Sequence, residues 1–199
     1  FEVATAAQQV SAVALVSDNR HYSGAPADLV PAASTIGFEN EVNNVRLTSD
    51  GMVVAGSIID GPSGAARFSI RIFDPELQSW SAGPTPSVMP TWGPRAMAWS
   101  PKLPDGTYYL AIGVNWPGER LWVYRWDGSS LTKLPDPVDT LPNGTPIWAL
   151  AWNENGTKLA AGNNSSVDGV YVWDFVGEAL VNRRALASPG TNPIGGAPF

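Results

Sequence analysis

The chain has 199 residues, enough for one domain with a hydrophobic core, and its net charge is −6. Its 12 basic residues are scattered, which disfavours a nucleic-acid partner. The lack of cysteine and the single histidine, His21, exclude disulfides, thiolate metal sites and multi-histidine metal sites, and no apolar run reaches the roughly 18 residues that would cross a membrane.

The N-terminal quarter of the chain predicts little regular structure. Residues 1–10 are small and polar and predict an N-terminal arm. Residues 11–19, SAVALVSDN, predict one β-strand ending at Asp18. The Pro-, Ala- and Ser-rich stretch that follows resembles the links further along the chain. Residues 11–43 therefore predict a partial sheet that lacks its first two strands.

Three longer units follow, at 44–93, 94–146 and 147–185, and a Gly/Pro tail occupies 186–199. Each unit predicts three short strands, a polar turn between the first two, and a brief outer strand in the link. The main strands are predicted at 44–48, 52–58 and 68–73, at 96–100, 108–114 and 121–126, and at 148–153, 158–162 and 170–173. The outer strands are predicted near 80–82, 131–134 and 179–182.

Three sets of residues recur with the units. Turn glycines, glycines closing the second strand and aspartates ending the third strand each return after about 50 residues. They are Gly51, Gly106 and Gly156, then Gly56, Gly113 and Gly162, then Asp74, Asp127 and Asp174. Several strands per period without a helical pattern indicate the blades of a propeller.

The pattern of hydrophobic residues predicts which strands are buried in a core. Residues 53–55 and 110–112 are apolar on both faces, which predicts strands buried between neighbouring blades. Six of the nine tryptophans lie in or beside strands and predict core or inter-blade packing. They are Trp99, Trp122, Trp126, Trp148, Trp152 and Trp173.

The repeated pattern resembles the WD-repeat β-propeller family. The matching residues are 99–101, 105–106, 110–113 and 123–127, then 151–153, 155–156, 159–162 and 170–174. The resemblance covers about residues 11–182 and implies a propeller. The Gly-His pair of that family is missing here, so its His–Asp network is not implied. The segment VYRWDGSSLTKLPDP is most similar to the divergent WD-like repeats in structural proteins of tailed bacteriophages.

The fold class is therefore predicted as all-β, a β-propeller-like array of about four four-stranded antiparallel blades, three complete and one partial, over residues 11–185. Three blades and a fragment do not close the usual ring of four to eight. The ring could be completed by the arm and tail, by other copies of the chain, or by further parts of a longer polypeptide.

The recurring carboxylates predict structure, because catalytic residues of a propeller normally break its symmetry. Asp50, Asp105 and Asn155 each precede a turn glycine and predict Asx-type turns. The strand-ending residues Asp74, Asp127 and Asp174 predict turn or backbone caps.

No nucleophile elbow or phosphate loop occurs, and a sialidase-like site is disfavoured because nothing brings the arginines and tyrosines together. Residues 163–169 could hold calcium, but a solvated hairpin loop is the simpler interpretation. We therefore predict no catalytic residue, no metal ligand and no cofactor.

Two loop aromatics are the better candidates for contact with a ligand or partner. Trp116 is predicted in the hairpin loop at 115–118, and Trp92 in the link MPTWGP. An exposed Trp can stack on a sugar ring or contact a protein, although either residue could instead fold back on its own blade.

The first functional hypothesis is a non-enzymatic structural protein of a virion, acting in the extracellular particle in assembly or attachment. Its expected partners are copies of itself or other virion subunits, without nucleic acid or membrane. The alternatives are an adhesin module that binds surface glycans and a cytoplasmic WD-type scaffold for protein interactions.

Overall fold

A computed structural model describes residues 42–58, 68–90, 94–116, 119–137, 141, 147–163 and 168–187. The predicted arm at 1–10, all but two residues of the predicted partial blade at 11–43, and most of the tail at 186–199 lie outside these residues.

The described residues form twelve strands and no helix, which confirms the all-β prediction. The strands build three four-stranded antiparallel sheets in which each strand pairs with the next along the chain. Sheet one contains β1 (Val42–Leu47), β2 (Val53–Ile58), β3 (Phe68–Asp74) and β4 (Ser79–Ala82). Sheet two contains β5 (Pro94–Trp99), β6 (Tyr108–Trp116), β7 (Glu119–Trp126) and β8 (Leu131–Lys133). Sheet three contains β9 (Ile147–Trp152), β10 (Lys158–Asn163), β11 (Asp168–Val176) and β12 (Ala179–Ala187). These are the sheets predicted as blades.

Sheet three ends in a longer hairpin than the sequence pattern predicts. Strand β11 continues to Val176, and β12 runs nine residues where an outer strand at 179–182 is predicted. Gly177 and Glu178 connect them with φ angles of 57° and 64°. Two left-handed residues form the tight turn that matches the twist of antiparallel strands. The pairing register between β11 and β12 shifts between Val172 and Asp174, which is the mark of a β-bulge. Asn182, on the opposite strand at this point, has a φ of 53°.

A side chain at the end of each first strand fixes the start of the second. Thr48 Oγ1 accepts a hydrogen bond from Val53 N at 3.0 Å, and Ser100 Oγ accepts one from Tyr109 N at 2.8 Å. Asn153 Oδ1 accepts one from Lys158 N at 2.8 Å. Each cap satisfies a backbone donor that would otherwise lack a partner at the turn. The caps therefore define equivalent positions in the three sheets.

Counted from these caps, one predicted equivalence is wrong. If the capped residue is counted as the first of its strand, Gly113 and Gly162 are the fifth residues, counted from Tyr109 and Lys158. Gly56 is only the fourth residue, counted from Val53. Ser57 is therefore the counterpart of Gly113. Because successive residues of a strand point to opposite sides, the one-residue step moves Gly56 to the other side of sheet one.

The first of two cores lies between sheets one and two. Phe68 and Ile70 of sheet one pack with Leu110, Ile112 and Tyr124 of sheet two. The rings of Phe68 and Tyr124 meet edge to face, with centroids 5.3 Å apart. This geometry suits the charge distribution of aromatic rings.

The second core lies between sheets two and three. Ala111 and Val123 pack with Leu159, Tyr171 and Trp173. Sheet two is consequently buried on both sides, as the apolar run 110–112 predicts, with Leu110, Ala111 and Ile112 all fully buried.

Two tryptophans tie the first strands of successive sheets together. Trp99 Nε1 donates to the carbonyl of Arg46 at 3.2 Å, and Trp152 Nε1 donates to the carbonyl of Ala98 at 3.1 Å. Strands β1, β5 and β9 therefore lie side by side, as the inner strands of a propeller do, and the described sheets form an open array.

Five of the six tryptophans predicted for packing are buried or partly buried. The prediction is wrong for Trp148, whose residue is 48 % exposed at the start of β9. Next to it on β9, Ile147 is fully buried, whereas Ala149 and Ala151 are exposed on the side away from sheet two, which no described strand covers.

The closest approach of sheets two and three gives a test of this packing. A Cβ at Gly113 would lie 2.5 Å from Ile147 Cγ2, whereas a Cβ at Gly169 would meet no atom within 4 Å. Gly113→Ala should lower the free energy of unfolding by about 1–3 kcal/mol through overpacking. Gly169→Ala is the matched control and should leave it nearly unchanged. Urea unfolding measures both, and equal midpoints would contradict the packing described here.

Candidate functional site

The three turn residues make the same local contact. Asp50 Oδ1 accepts from Met52 N at 3.1 Å, and Asp105 Oδ1 accepts from Thr107 N at 3.0 Å. Asn155 Oδ1 accepts from Thr157 N at 3.3 Å. A side chain that bonds the backbone two residues on forms an Asx turn. All three turns lie at one end of the array, which we call the turn end.

The strand-ending aspartates divide into two kinds. Asp74 Oδ1 accepts from the amides of Glu76 and Leu77, and Asp127 Oδ1 accepts from those of Ser129 and Ser130. These contacts hold the pKa of Asp127 below its usual range, the Ser129 amide contributing most.

Asp174 differs because it lies inside β11 and pairs with side chains of both neighbouring strands. It contacts Lys158 Nζ at 2.5 Å, Arg184 Nη2 at 2.6 Å and Asn182 Nδ2 at 3.2 Å. By strand pairing Asp174 lies opposite Lys158, as Arg125 lies opposite Tyr109. It therefore matches Arg125 and not Asp127, and the predicted equivalence of the three aspartates is wrong by two residues.

At the turn end, charged contacts join sheet one to sheet two. Lys102 Nζ lies 2.9 Å from Asp50 Oδ2 and 5.6 Å from the centre of the Tyr108 ring. Burial raises the pKa of Asp50, but contacts with Lys102, Tyr108, Thr48 and the Met52 amide outweigh it and lower that pKa to about 2. Asp50 thus serves both its own turn and the joint between two sheets.

A second charged contact joins sheet two to sheet three. The hydroxyl of Tyr109 donates to Glu178 Oε1 at 3.1 Å, and Arg125 Nε lies 3.1 Å from the same oxygen. Burial and then the Glu178 carboxylate raise the pKa of Tyr109 to about 12. Each sheet therefore meets the next through apolar side chains and through a carboxylate at the turn end.

The far side of sheet three has no such neighbour among the described strands. Its residues match buried positions of sheet two, because Ala151 pairs with Ala160 as Ala98 pairs with Ala111. Ala98 is 8 % exposed and Ala111 is fully buried, whereas Ala151 is exposed and Ala160 half-buried. We call this side, which points away from sheet two, the open face.

The rest of the open face shows the same contrast. Leu121 of sheet two is 5 % exposed, while its counterpart Val170 is 36 % exposed and the neighbouring Leu186 is 54 % exposed. The face comprises six apolar residues and the charged cluster already described. They are Ala149, Ala151, Ala160, Val170, Val172 and Leu186, with Lys158, Asp174 and Arg184. A contiguous apolar patch rimmed by charge is the usual form of a protein-binding surface.

The charged cluster carries more positive than negative charge. Lys158 and Arg184 share the single carboxylate of Asp174, and both cations are about half exposed. Lys158, then Asn182 and Arg184, hold the pKa of Asp174 below its usual range. The cluster can therefore accept one further carboxylate from a bound partner.

One aromatic candidate, Trp116, lies at the opposite end of the array from the Asx turns. The backbone of Trp116 ends β6 and pairs with Glu119, so the residue belongs to a strand and not to the predicted loop. Trp92 lies outside the described residues, as do His21 and residues 164–167 of the candidate calcium loop. At the same end, the guanidinium of Arg95 lies 5.4 Å from the centre of the exposed Trp148 ring.

Sequence reasoning missed the open face and its charged cluster. The signal was available in part, since IWALAW in β9 is as apolar as the buried PRAMAW in β5. The sequence of β9 contains no signal that a neighbouring sheet is missing on one side of sheet three.

Neither a scan of protein-family models nor a search of curated proteins finds a match to this chain. Within the part of the chain that the structure describes, no group of three or more His, Cys, Asp or Glu residues is placed to hold a metal ion. The same residues contain no helix long and apolar enough to cross a membrane.

The lowered pKa of Asp50 gives a pH test. Because the folded state binds a proton less readily than the unfolded chain, the stability contributed by Asp50 is present above about pH 4. It is lost as the pH falls toward about 2. Asp50→Asn should therefore weaken the acid dependence of the unfolding free energy in this window.

Urea unfolding at a series of pH values measures this dependence. Glu154→Gln, which removes an exposed acid from the β9–β10 turn, is the control and should keep the wild-type slope. Identical slopes for Asp50→Asn and wild type would contradict the role of Asp50 at the sheet joint.

Proposed function

We propose that the protein is a non-enzymatic structural and interaction protein that docks onto other protein subunits through the open face of sheet three. The single observation that supports this most strongly is the exposure of apolar positions whose counterparts in sheet two are buried. Exposed apolar surface of this kind is unfavourable in water and is stabilised when a partner covers it.

The setting we propose is a virion, with the chain as a structural or decoration component that assembles with its neighbours. The similarity of its repeats to those of tailed-bacteriophage structural proteins supports this setting. A structural role also agrees with the described carboxylates, since Asp50, Asp74, Asp105 and Asp127 are engaged in turns. The expected partner is another copy of the chain or a different particle subunit.

A carbohydrate-binding role is a second candidate, favoured by the aromatic end of the array. Trp148 presents an exposed ring beside Arg95, and β6 ends at Trp116 on that same end. A flat ring next to a cation suits a sugar that carries a carboxylate. The WD-type scaffold has no observation that favours it over these two.

The docking proposal predicts a multimer of the 21.1 kDa chain. Ala151→Arg places a positive charge in the middle of the open face and should reduce or abolish that multimer, because the guanidinium would be buried beside the excess positive charge of Lys158 and Arg184 without a partner. Native mass spectrometry or light scattering measures the mass.

Ala82→Arg is the matched control, since Ala82 is also an exposed alanine of a strand but lies on β4 of sheet one. It should leave the multimer intact. A wild-type chain that remains monomeric at all tested concentrations would remove the main support for docking between copies.

The carbohydrate candidate has a separate test. Acidic and neutral oligosaccharides are titrated against the chain while its tryptophan fluorescence is followed. If the aromatic end binds glycans, an acidic glycan should change the emission, and Trp148→Ala should abolish the change while the exposed control Val88→Ala retains it. An unchanged response in Trp148→Ala would place the binding elsewhere.

A further inference from the structure

The open face is shaped to receive another sheet of the same kind. Within the chain this contact is made twice, as the corresponding side of sheet one packs on sheet two and that of sheet two packs on sheet three. At each contact the third strands face each other, as the rings of Phe68 in β3 and Tyr124 in β7 show. A partner for the open face should therefore offer an apolar strand opposite β11.

One stretch outside the three sheets has this pattern, namely residues 11–19, SAVALVSDN. It combines a run of five apolar residues with an aspartate, Asp18, at the end of the predicted strand. The strands β3 and β7 end in the same way, at Asp74 and before Asp127. The pattern therefore predicts a third strand for this stretch, which is the kind of strand that the contact requires.

Charge favours the same stretch. Residues 1–41 contain five acidic residues and one basic residue, so they hold four of the six net negative charges of the chain. The open face carries the excess positive charge of Lys158 and Arg184. At the equivalent position of sheet two, Tyr109 and Arg125 already receive a carboxylate, Glu178, from the following sheet. Asp18 would supply the corresponding carboxylate.

In chain order this stretch comes before sheet one, which lies at the opposite end of the array from the open face. Residues 11–19 precede β1 in sheet one, and the open face belongs to sheet three, with sheet two between them. Two copies aligned head to tail bring sheet one of one copy, and the chain that leads into β1, next to the open face of the other copy. Such an interface uses a different surface on each copy, and it closes into a ring when the rotation allows.

We infer that residues 11–19 of a second copy cover the open face, packing along β11 with Asp18 near Lys158 and Arg184. This inference rests on the proposed assembly function and names the partner of the same surface. The open face is then an interface between copies, in which residues 11–19 of one chain pack on sheet three of another chain and extend its array of sheets.

The absence of cysteine from the sequence makes a cross-linking test direct. Ala14→Cys marks the N-terminal stretch and Val170→Cys marks the open face. The two single variants are mixed and treated with a thiol-specific cross-linker that spans about 10 Å, the usual distance between packed sheets. We expect a linked species of two chains that contains one of each variant.

Controls separate this contact from chance encounters. Thr132→Cys, an exposed residue on β8 of sheet two, should give no linked product with Ala14→Cys. Ala149→Cys, on β9 of the open face, repeats the experiment if Val170→Cys does not fold. The chain carrying both Ala14→Cys and Val170→Cys tests whether the link forms within one molecule.

The outcomes distinguish this inference from the proposed function. Linked pairs of chains support it. A link confined to single chains overturns it, because the stretch then covers the face of its own molecule. A multimer by native mass without any link also overturns it but leaves docking through the open face standing. A monomer without links overturns both.

Discussion

The structure depends on one constraint, which is that an apolar side of a sheet needs a neighbouring sheet to cover it. A four-stranded sheet of this size cannot bury its side chains by itself, so it is stable only when packed. Sheet two meets the requirement fully, with Val123 and Ala111 covered by sheet three and Ile112 and Leu110 covered from sheet one. The position of a sheet in the array therefore decides how well it is covered, more than its own sequence does.

Directional contacts then fix how the sheets are stacked. Hydrophobic packing alone would tolerate sliding of one sheet over the next, because burial has no preferred direction. The indole of Trp152 must meet the Ala98 carbonyl, and the indole of Trp99 must meet that of Arg46. These bonds set the inner strands in register, while Lys102–Asp50 and Arg125–Glu178 set the turn end. An exposed ion pair adds little stability, so its value here is mainly in alignment.

The strands could be predicted from the sequence because their signals are local. Alternation within a strand, turn residues such as Asp105 before Gly106, and the return of the pattern each depend on a few neighbouring residues. Exact register could not be predicted in this way. Gly56 is displaced by one residue from Gly113, and Asp174 by two from Asp127, because the pairing across strands sets the register. The exposure of Ala151 was unpredictable for a related reason, since it depends on a neighbour that the strand's own sequence does not encode.

The composition of the open face suits the proposed docking, in which the face is exposed to water until a partner covers it. Where sheet two has Tyr109, sheet three has Lys158, and where sheet two has Leu121, sheet three has the smaller Val170. Reduced apolar area lowers the cost of exposure, and the pairing of Lys158 and Arg184 with Asp174 prevents an isolated charge from being buried when a partner arrives. The alanines at Ala149 and Ala151 keep the face flat, so another sheet can approach as closely as sheet three approaches sheet two at Gly113. A face adapted only to solvent would need none of these apolar residues, and the charged contacts Lys102–Asp50 and Arg125–Glu178 show that a covered face of this fold also carries charge at the turn end.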